Sequence, residues 1–530
     1  MATATATSAA IPAAPASDKI DKRKLIAFLA MVFGMFMAIL DIQVVSASLP
    51  QIQAGLGASG DEIPWVQTAY LIAEVVMIPL SGFLSRAFST RWTFAVSCAG
   101  FTFMSFLCGT ATNINEMIVY RALQGFIGGG MIPTVFAAAF TVFPRSKQPI
   151  VSPMIGLVAT LAPTIGPTVG GILTEWYSWH MLFFINVVPG IIVSIMTFTL
   201  VDFDKPDLSL LDNFDWTGLL SMALFLGAME YALEEGPNHD WFDETSVLVM
   251  SILSVIGGIV FFARVLTAKA PIVDLYSFSD SNFAAGSAFS FVLGIGLYGL
   301  TYLFPVYLDV VRGYDSKQIG ETMFVTGVCM FLTAPVAGRL MASIDVRYMI
   351  VGGLLGFGLN TWIMTYVTHD WDFYEILIPQ ILRGVSLMMC MVPISNIALG
   401  TLAPQRIKNA SGLFNLMRNL GGAVGLAIIN TVLNKREDLH LARLGEMVNW
   451  SRDSVMQTYE NMKAGFSTFG AAADQMTIAN LVGMMRREAF ILAFSDVFLL
   501  MTILFVCLSG AIFFVKRPQV MGGGGGGGGH

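Results

Sequence analysis

Apolar residues fall along this 530-residue chain in repeated runs of roughly 20, separated by short polar stretches. A helix needs about 20 apolar residues to cross a ~30 Å hydrocarbon core. Fourteen runs are predicted as spans, at 25–48, 64–84, 91–110, 116–142, 149–172, 181–201, 216–233, 245–266, 283–311, 319–341, 347–368, 374–399, 409–433 and 490–514. Each is predicted to be a helix, because lipid offers no partner to free backbone N–H and C=O groups and the runs are about twice as long as barrel strands. The expected class is an all-α polytopic membrane protein.

Composition agrees. The chain is 55% hydrophobic and 12% charged, against about 25% charged in ordinary soluble domains. Its formal net charge of -7 is spread over loops such as 201–215, so no nucleic-acid footprint is expected. Cys98, Cys108, Cys329, Cys390 and Cys507 all lie in apolar runs, where they act as small hydrophobes and cannot staple an exposed loop. The Ala, Thr, Ser and Pro tract at 1–18 has too little apolar surface to pack, and 1–24 is expected to be a disordered N-terminus. The run after Lys19, Lys22, Arg23 and Lys24 is too long for a signal peptide and carries Asp41, so it reads as a retained span. The Gly run ending at His530 reads as an expression appendage, and 515–530 is set aside as a tail.

Lys and Arg in the short loops set the orientation: Arg86 with Arg91, Arg145 with Lys147, Arg264 with Lys269, Arg339 with Arg347, and Arg406 with Lys408 share one side. Both termini fall on that side, which is therefore expected to be cytoplasmic.

A weak internal repeat runs through the chain. Ser81-Gly82-Phe83-Leu84, with Arg91 nine residues past the Gly, matches Ala337-Gly338-Arg339-Leu340 with Arg347 at the same spacing. Arg121-Ala122-Leu123-Gln124-Gly125 in span 4 matches Gln380-Ile381-Leu382-Arg383-Gly384 in span 12, with Arg and Gln exchanged. Both offsets are eight spans, so spans 1–6 are expected to repeat in parallel as spans 9–14. This divides the chain into a six-helix bundle at 25–201, two inserted helices within 202–282, and a second six-helix bundle at 283–514 that holds the long outer loop 434–489. Transporters with parallel halves hold substrate between them near the midplane.

Ionisable groups inside the bilayer cost from ~2.5 to over 10 kcal/mol to place and are functional by default. Asp41, Glu74 and Arg121 stand out. Asp41 is expected ~7 Å outside the midplane, at about 1.5 Å per residue, and Arg121 enters the same half from outside. Protonating Asp41 would release Arg121, and Glu74 in the middle of span 2 offers a second proton site. A static buried pair that only fixes helix packing is the competing reading.

In span 5, Gly166 and Gly170 make a small-xxx-small face and Pro167 removes a ladder hydrogen bond, which fits either tight packing or a hinge. Within the outer loop, Val455, Met456, Tyr459 and Met462, then Ile478, Leu481, Val482 and Met485, have helical spacing. Short amphipathic helices that dock a partner or cap the protein's own mouth are expected there. His180, His239, His369 and His440 all fall in outer loops. No nucleophile in a span has a base at a sensible spacing, and no metal cluster or phosphate loop appears, so neither catalysis nor a metal is expected.

These motifs resemble the major facilitator superfamily. The fourteen spans, with Gly166-Pro167 to Gly171, resemble its drug:proton antiporters of the EmrB/QacA type over residues 20–520. Leu40, Asp41, Leu49 and Pro50 match that family's first-helix signature, with Gln43 and Ser46 in place of its usual Thr and Asn. Arg121, Gln124 and Gly125 match its proton-coupling motif, and Gly166, Pro167, Gly170 and Gly171 its exporter motif. Gly82, Leu84 and Arg91 match the gating motif, with Arg86 where an Asp is usual and Ser89 in place of the second Gly.

The resemblance implies that helices 1, 4, 9 and 12 line a cavity, which nominates Gln43, Gln124, Tyr298, Tyr302, Gln380 and Arg383 for substrate. It gives gating and packing roles to Gly82, Arg86, Arg91, Gly338, Arg347 and the span 5 motif. The expected function is proton-coupled efflux of hydrophobic or amphipathic small molecules across a bacterial inner membrane by alternating access, with protons as coupling ion and no other cofactor. The expected partners are those substrates, membrane lipid and, through the long outer loop, a periplasmic adaptor and outer-membrane channel. A nutrient importer or facilitator is one rival reading. A non-transporting receptor or lipid-modifying enzyme is the other.

Overall fold

The computed structural model describes residues 21–512 apart from Asn213, Lys269 and Ala270. The tract at 1–18, Lys19 and the terminal Gly run, all read in the sequence, lie outside those residues. The described residues contain no strand. Fourteen long helices stand where the apolar runs predict them: α1 (Lys22–Ser46), α2 (Trp65–Ala87), α3 (Ser89–Cys108), α4 (Ile114–Val142), α5 (Gln148–Trp176), α6 (Met181–Leu200), α7 (Trp216–Glu235), α8 (Thr245–Thr267), α9 (Ser281–Val310), α10 (Ser316–Ser343), α11 (Val346–Met364), α12 (Phe373–Leu399), α13 (Pro404–Met447) and α14 (Ala473–Ala511). Twelve are long and apolar enough to cross a membrane. The other two, α3 and α11, have 20 and 19 residues, and Ser and Thr in α3 dilute its apolar character.

Several helix starts are set by acidic caps at the loop junctions. The Asp315 carboxylate accepts from the Gln318 amide at 2.8 Å, and the Asp280 carboxylate from the Asn282 amide at 2.9 Å. α4 is interrupted at Gly129–Gly130, where its two segments meet, and the Thr134 hydroxyl donates to the Gly130 carbonyl at 2.6 Å across the break.

The eight-helix offset is visible in the packing. A Cβ on Gly125 of α4 would lie 2.3 Å from the Tyr70 carbonyl oxygen of α2, and one on Gly384 of α12 would lie 2.6 Å from the Thr326 carbonyl oxygen of α10. A Cβ on Gly82 of α2 would lie 2.9 Å from the backbone of Lys408 and Asn409 in α13, and one on Gly338 of α10 would lie 2.2 Å from the Pro149 carbonyl oxygen in α5. Exchanging α2 for α10 and α5 for α13 therefore maps one contact onto the other. α7 and α8 pack on each other, and α7 also lies along α2 and touches α13.

Interior and lipid-facing helices separate by burial. Most of the apolar stretch is buried in α1 (72%) and α2 (78%), against 33% in α6 and 28% in α8. The exposed faces of those two carry Val188, Ile191, Ile192 and Ile195, and Ile252, Val255, Ile256 and Ile259, a surface that suits lipid.

The outer loop corrects its prediction. α13 runs on as a single helix to Met447 and α14 begins at Ala473, so the apolar positions Ile478, Leu481, Val482 and Met485 belong to an extension of α14. Asp453–Gly465 is a separate short α-helix, followed by a 3-10 turn at Ser467–Ala472. At 44 residues α13 is ~66 Å long, about twice a ~30 Å hydrocarbon core. Its extension is tied to α14 by His440 and Asp496 at 2.8 Å and by Arg486 and Glu437 at 3.3 Å. Polar helical residues carry no apolar run, and so left no span signal.

Gly125→Val is expected to lower stability by about 1–3 kcal/mol, the usual cost of overpacking, whereas Gly352→Ala, at a position with open space around its Cβ, leaves the thermal midpoint of the purified chain unchanged or slightly raised. Equal midpoints for wild type and Gly125→Val would contradict the contact.

Candidate functional site

Small residues bring the charged helices together. On α5, a Cβ at Gly166 would lie 2.3 Å from the Gln43 Cβ and one at Gly170 would lie 2.9 Å from the Val44 carbonyl oxygen, so α1 lies directly against α5. Gly171 is buried beside them. The contact at Gly125 seats α4 on α2. Arg121, about one turn earlier on α4, is thereby pressed between α2 and α1.

There the Arg121 Nη1 donates to the Asp41 Oδ2 at 2.6 Å, and neither side chain has any exposed surface. The Asn186 Nδ2 donates to the Asp41 Oδ1 at 2.8 Å, and the Gln124 Nε2 to the same oxygen at 3.3 Å. Arg121 also donates to the Gln124 Oε1 at 2.8 Å and to the Val66 carbonyl at 3.2 Å. Its guanidinium carbon stands 4.2 Å from the Tyr70 ring centroid. Asn186 is oriented by a second bond, to the Ser105 hydroxyl at 3.2 Å. Among the described residues the Arg121 Nη2 and the Tyr70 hydroxyl have no hydrogen-bond partner. Opposite charges this deeply buried are tolerable only as a hydrogen-bonded pair, and removing either charge strands the other.

Beside this cluster lies a cavity of about 800 Å³ between the two halves. Ser46 at the C-terminal end of α1, Pro50 and Gln51 just beyond it, and Asp309 and Tyr314 at the end of α9 are in its wall, so it opens at the end of the bundle away from the start of α1. Gln43, Glu74, Pro167, Tyr298 and Tyr302 line it. The other three nominated substrate residues do not. Gln124 belongs to the Asp41 cluster, Gln380 is hydrogen-bonded to Thr326, and the Arg383 Nη2 donates to the Thr301 hydroxyl at 2.5 Å. All three are fully buried between helices, and among the described residues the Arg383 Nε has no hydrogen-bond partner. Thr301 itself is in the wall.

The opposite end of the bundle is sealed. Lys408, in the first turn of α13, is ion-paired with Asp204 and donates to the Ser85 carbonyl at 2.9 Å. Both Asp204 carboxylate oxygens accept from the Thr90 amide at 3.1 Å, at the N-terminus of α3. Arg86 turns back on its own helix, with Nε 3.4 Å from the Gly82 carbonyl oxygen. Arg91 is half-buried in the first turn of α3, and Arg347 is ion-paired with Asp345 at 3.2 Å. Asp204, from the loop after α6, is thus the carboxylate that meets both Lys408 and the start of α3. Ser89, in place of the motif's glycine, has φ +76°, the left-handed backbone that a glycine adopts without strain.

Sequence reasoning missed Asn186, Tyr70, Asp204, Glu230 and Arg418. Glu230 in α7 and Arg418 in α13 carried the same signal as Glu74, an ionisable group inside an apolar run. Asn186 and Asp204 left none, since nothing local shows which helix they meet.

The model of the Major Facilitator Superfamily matches residues 31–426. The chain is 39% identical over 492 residues to the colistin resistance protein EmrB of Acinetobacter baumannii, covering 93% of this chain and 96% of that one. It is 30% identical to the fatty acid resistance protein FarB of Neisseria gonorrhoeae (92% and 96% covered) and 27% identical to the multidrug export protein EmrB of Escherichia coli K12 (92% and 95% covered). Among solved structures, the human organic anion transporter MFSD10 (TETRAN) superposes with a TM-score of 0.57 at 12% identity, over 92% of this chain and all of that one.

Two variants test this geometry. Asp41→Ala strands the guanidinium and is expected to cost about 3–5 kcal/mol, seen as a lower thermal midpoint than Asp41→Asn, which keeps a polar partner; equal midpoints would contradict the pairing. Ser89→Gly relieves the left-handed backbone and is expected to raise stability by about 1 kcal/mol, and a fall would contradict it.

Proposed function

The chain belongs to the Major Facilitator Superfamily, and on that premise we propose that it is a proton-driven exporter of hydrophobic and amphipathic small molecules whose coupling group is Asp41. The observation that carries this reading is the fully buried Asp41–Arg121 pair at 2.6 Å, one layer behind the wall of a large cavity. The names of the similar bacterial proteins, concerned with multidrug export and with resistance to colistin and to fatty acids, support export as the direction. All fourteen long helices are taken to cross the membrane, in two six-helix bundles with α7 and α8 inserted. The sealed end is taken as cytoplasmic, so the structure is an outward-open state of a bacterial inner-membrane protein.

A proton arriving through the cavity adds to the Asp41 Oδ2, where it displaces the Arg121 hydrogen bond. The neutral carboxylic acid no longer balances the guanidinium, whose remaining partners are Gln124, the Val66 carbonyl and the Tyr70 face. A buried uncompensated cation is costly, and that cost favours a rearrangement in which Arg121 finds water or another anion. Release of the proton on the cytoplasmic side restores the pair and the outward-open state. Glu74 lines the cavity, where water reaches it first, and serves as an intermediate proton acceptor. Gly166, Pro167 and Gly170 keep α1 close to α5, so displacement of α1 is transmitted to the half-to-half contact. The paired extensions of α13 and α14 form the surface on which a periplasmic adaptor docks.

In proteoliposomes with an imposed proton gradient, wild-type protein is expected to move substrate uphill, and Asp41→Asn to lose that movement while retaining downhill exchange. Uphill, pH-dependent transport by Asp41→Asn would reject the assignment.

A further inference from the structure

The wall of the cavity carries the carboxylates of Glu74, Glu230, Glu234, Asp309 and Asp315 and, among the described residues, no Lys, Arg or His. Asp315 is engaged as the cap of α10, but the deep acids are not engaged. Glu74 and Glu230 are 3% and 7% exposed, and among the described residues neither receives a hydrogen bond nor stands within ion-pair distance of a cation. Gln67, in the same wall, has its buried Oε1 without a donor. Arg121 and Arg418 act on Glu74 only from behind the wall, and Arg418 spends its Nη2 on the Asn415 side chain at 2.7 Å.

Two of these acids come from α7, which lies outside the eight-helix repeat. Gly227 brings α7 against Ile72 of α2, and the Tyr231 ring rests 5.6 Å from that of Trp65. Glu230 and Glu234, one helical turn apart, then share a stripe that faces the cavity with Glu74. Tyr298 and Tyr302 line the same space and offer aromatic faces to a cation. Unpaired buried carboxylates are costly in a low-dielectric site, and an organic cation offsets that cost in a way a neutral or anionic molecule does not.

We propose that the inserted helix α7 is a specificity-determining element, in which Glu230, with Glu74 and Glu234, binds the positively charged group of an organic cation. The inference rests on the export reading above and names its substrate class. Tetraphenylphosphonium and tetraphenylborate test it, since they share size and shape and differ in the sign of their charge.

The purified full chain is expected to bind the cation more tightly than the anion. Glu230→Gln is expected to reduce that preference about tenfold, the equivalent of one lost charge contact, and Glu230→Asp to keep it. Glu234→Gln, at a less buried position, is the second variant and is expected to reduce the preference as well. Equal affinities for the two probes in wild type, an unchanged preference in both Gln variants, or a pH-dependent loss that is the same for both probes would overturn the proposal. In proteoliposomes the two readings separate. Charge-selective binding without proton-driven efflux supports this inference and sinks the export reading, whereas proton-driven efflux of both probes alike overturns this inference and leaves export standing.

Discussion

The structure depends on keeping two opposite charges out of water at the junction of α1, α2, α4 and α6. Asp41 and Arg121 are 2.6 Å apart with no exposed surface, and the close helix approaches at Gly125, Gly166 and Gly170 hold them there. Unpaired, either charge would be difficult to keep in a protein interior surrounded by lipid. Paired, they form a neutral unit whose stability falls when one proton is added. In the proposed cycle a single titration at Asp41 therefore biases the arrangement of several helices at once.

The two halves repeat their helix contacts but not their chemistry. Where α4 presents Arg121 to a carboxylate, α12 presents Arg383 to the Thr301 hydroxyl, so among the described residues the buried ion pair is not repeated there. Acidic character enters the cavity instead through Glu74 and through the inserted α7. At the far end, Asp204 joins the N-terminus of α3 to Lys408 of α13, so closure there relies on a loop carboxylate between the halves. The buried pair, the cavity acids and the ion pair at the far end are therefore separate groups on one connected set of helices.

Much of this was legible in the chain because lipid imposes strong local rules. Apolar runs marked twelve of the fourteen helices to within a few residues, and ionisable groups in those runs marked Asp41, Glu74 and Arg121. Small residues at fixed spacing marked the close contacts of α5, where Gly166 and Gly170 meet α1. What could not be read depends on which helices meet. Asn186 is an ordinary polar residue until α6 brings it to Asp41, and Asp204 is one of several loop acids until Lys408 reaches it. Gln124, Gln380 and Arg383 sit on the nominated helices, but burial between neighbours keeps them off the cavity wall. Polar extensions of α13 and α14 follow helical periodicity without the apolar run that locates a span.

In the proposed cycle Asp41 gives up its proton when the buried pair reforms, and proton release on binding of a neutral transported compound measures that step most directly. In weakly buffered detergent solution, adding such a compound to the purified chain is expected to release protons from wild type and none from Asp41→Asn, with binding retained in both. Equal release from the two proteins would contradict the account.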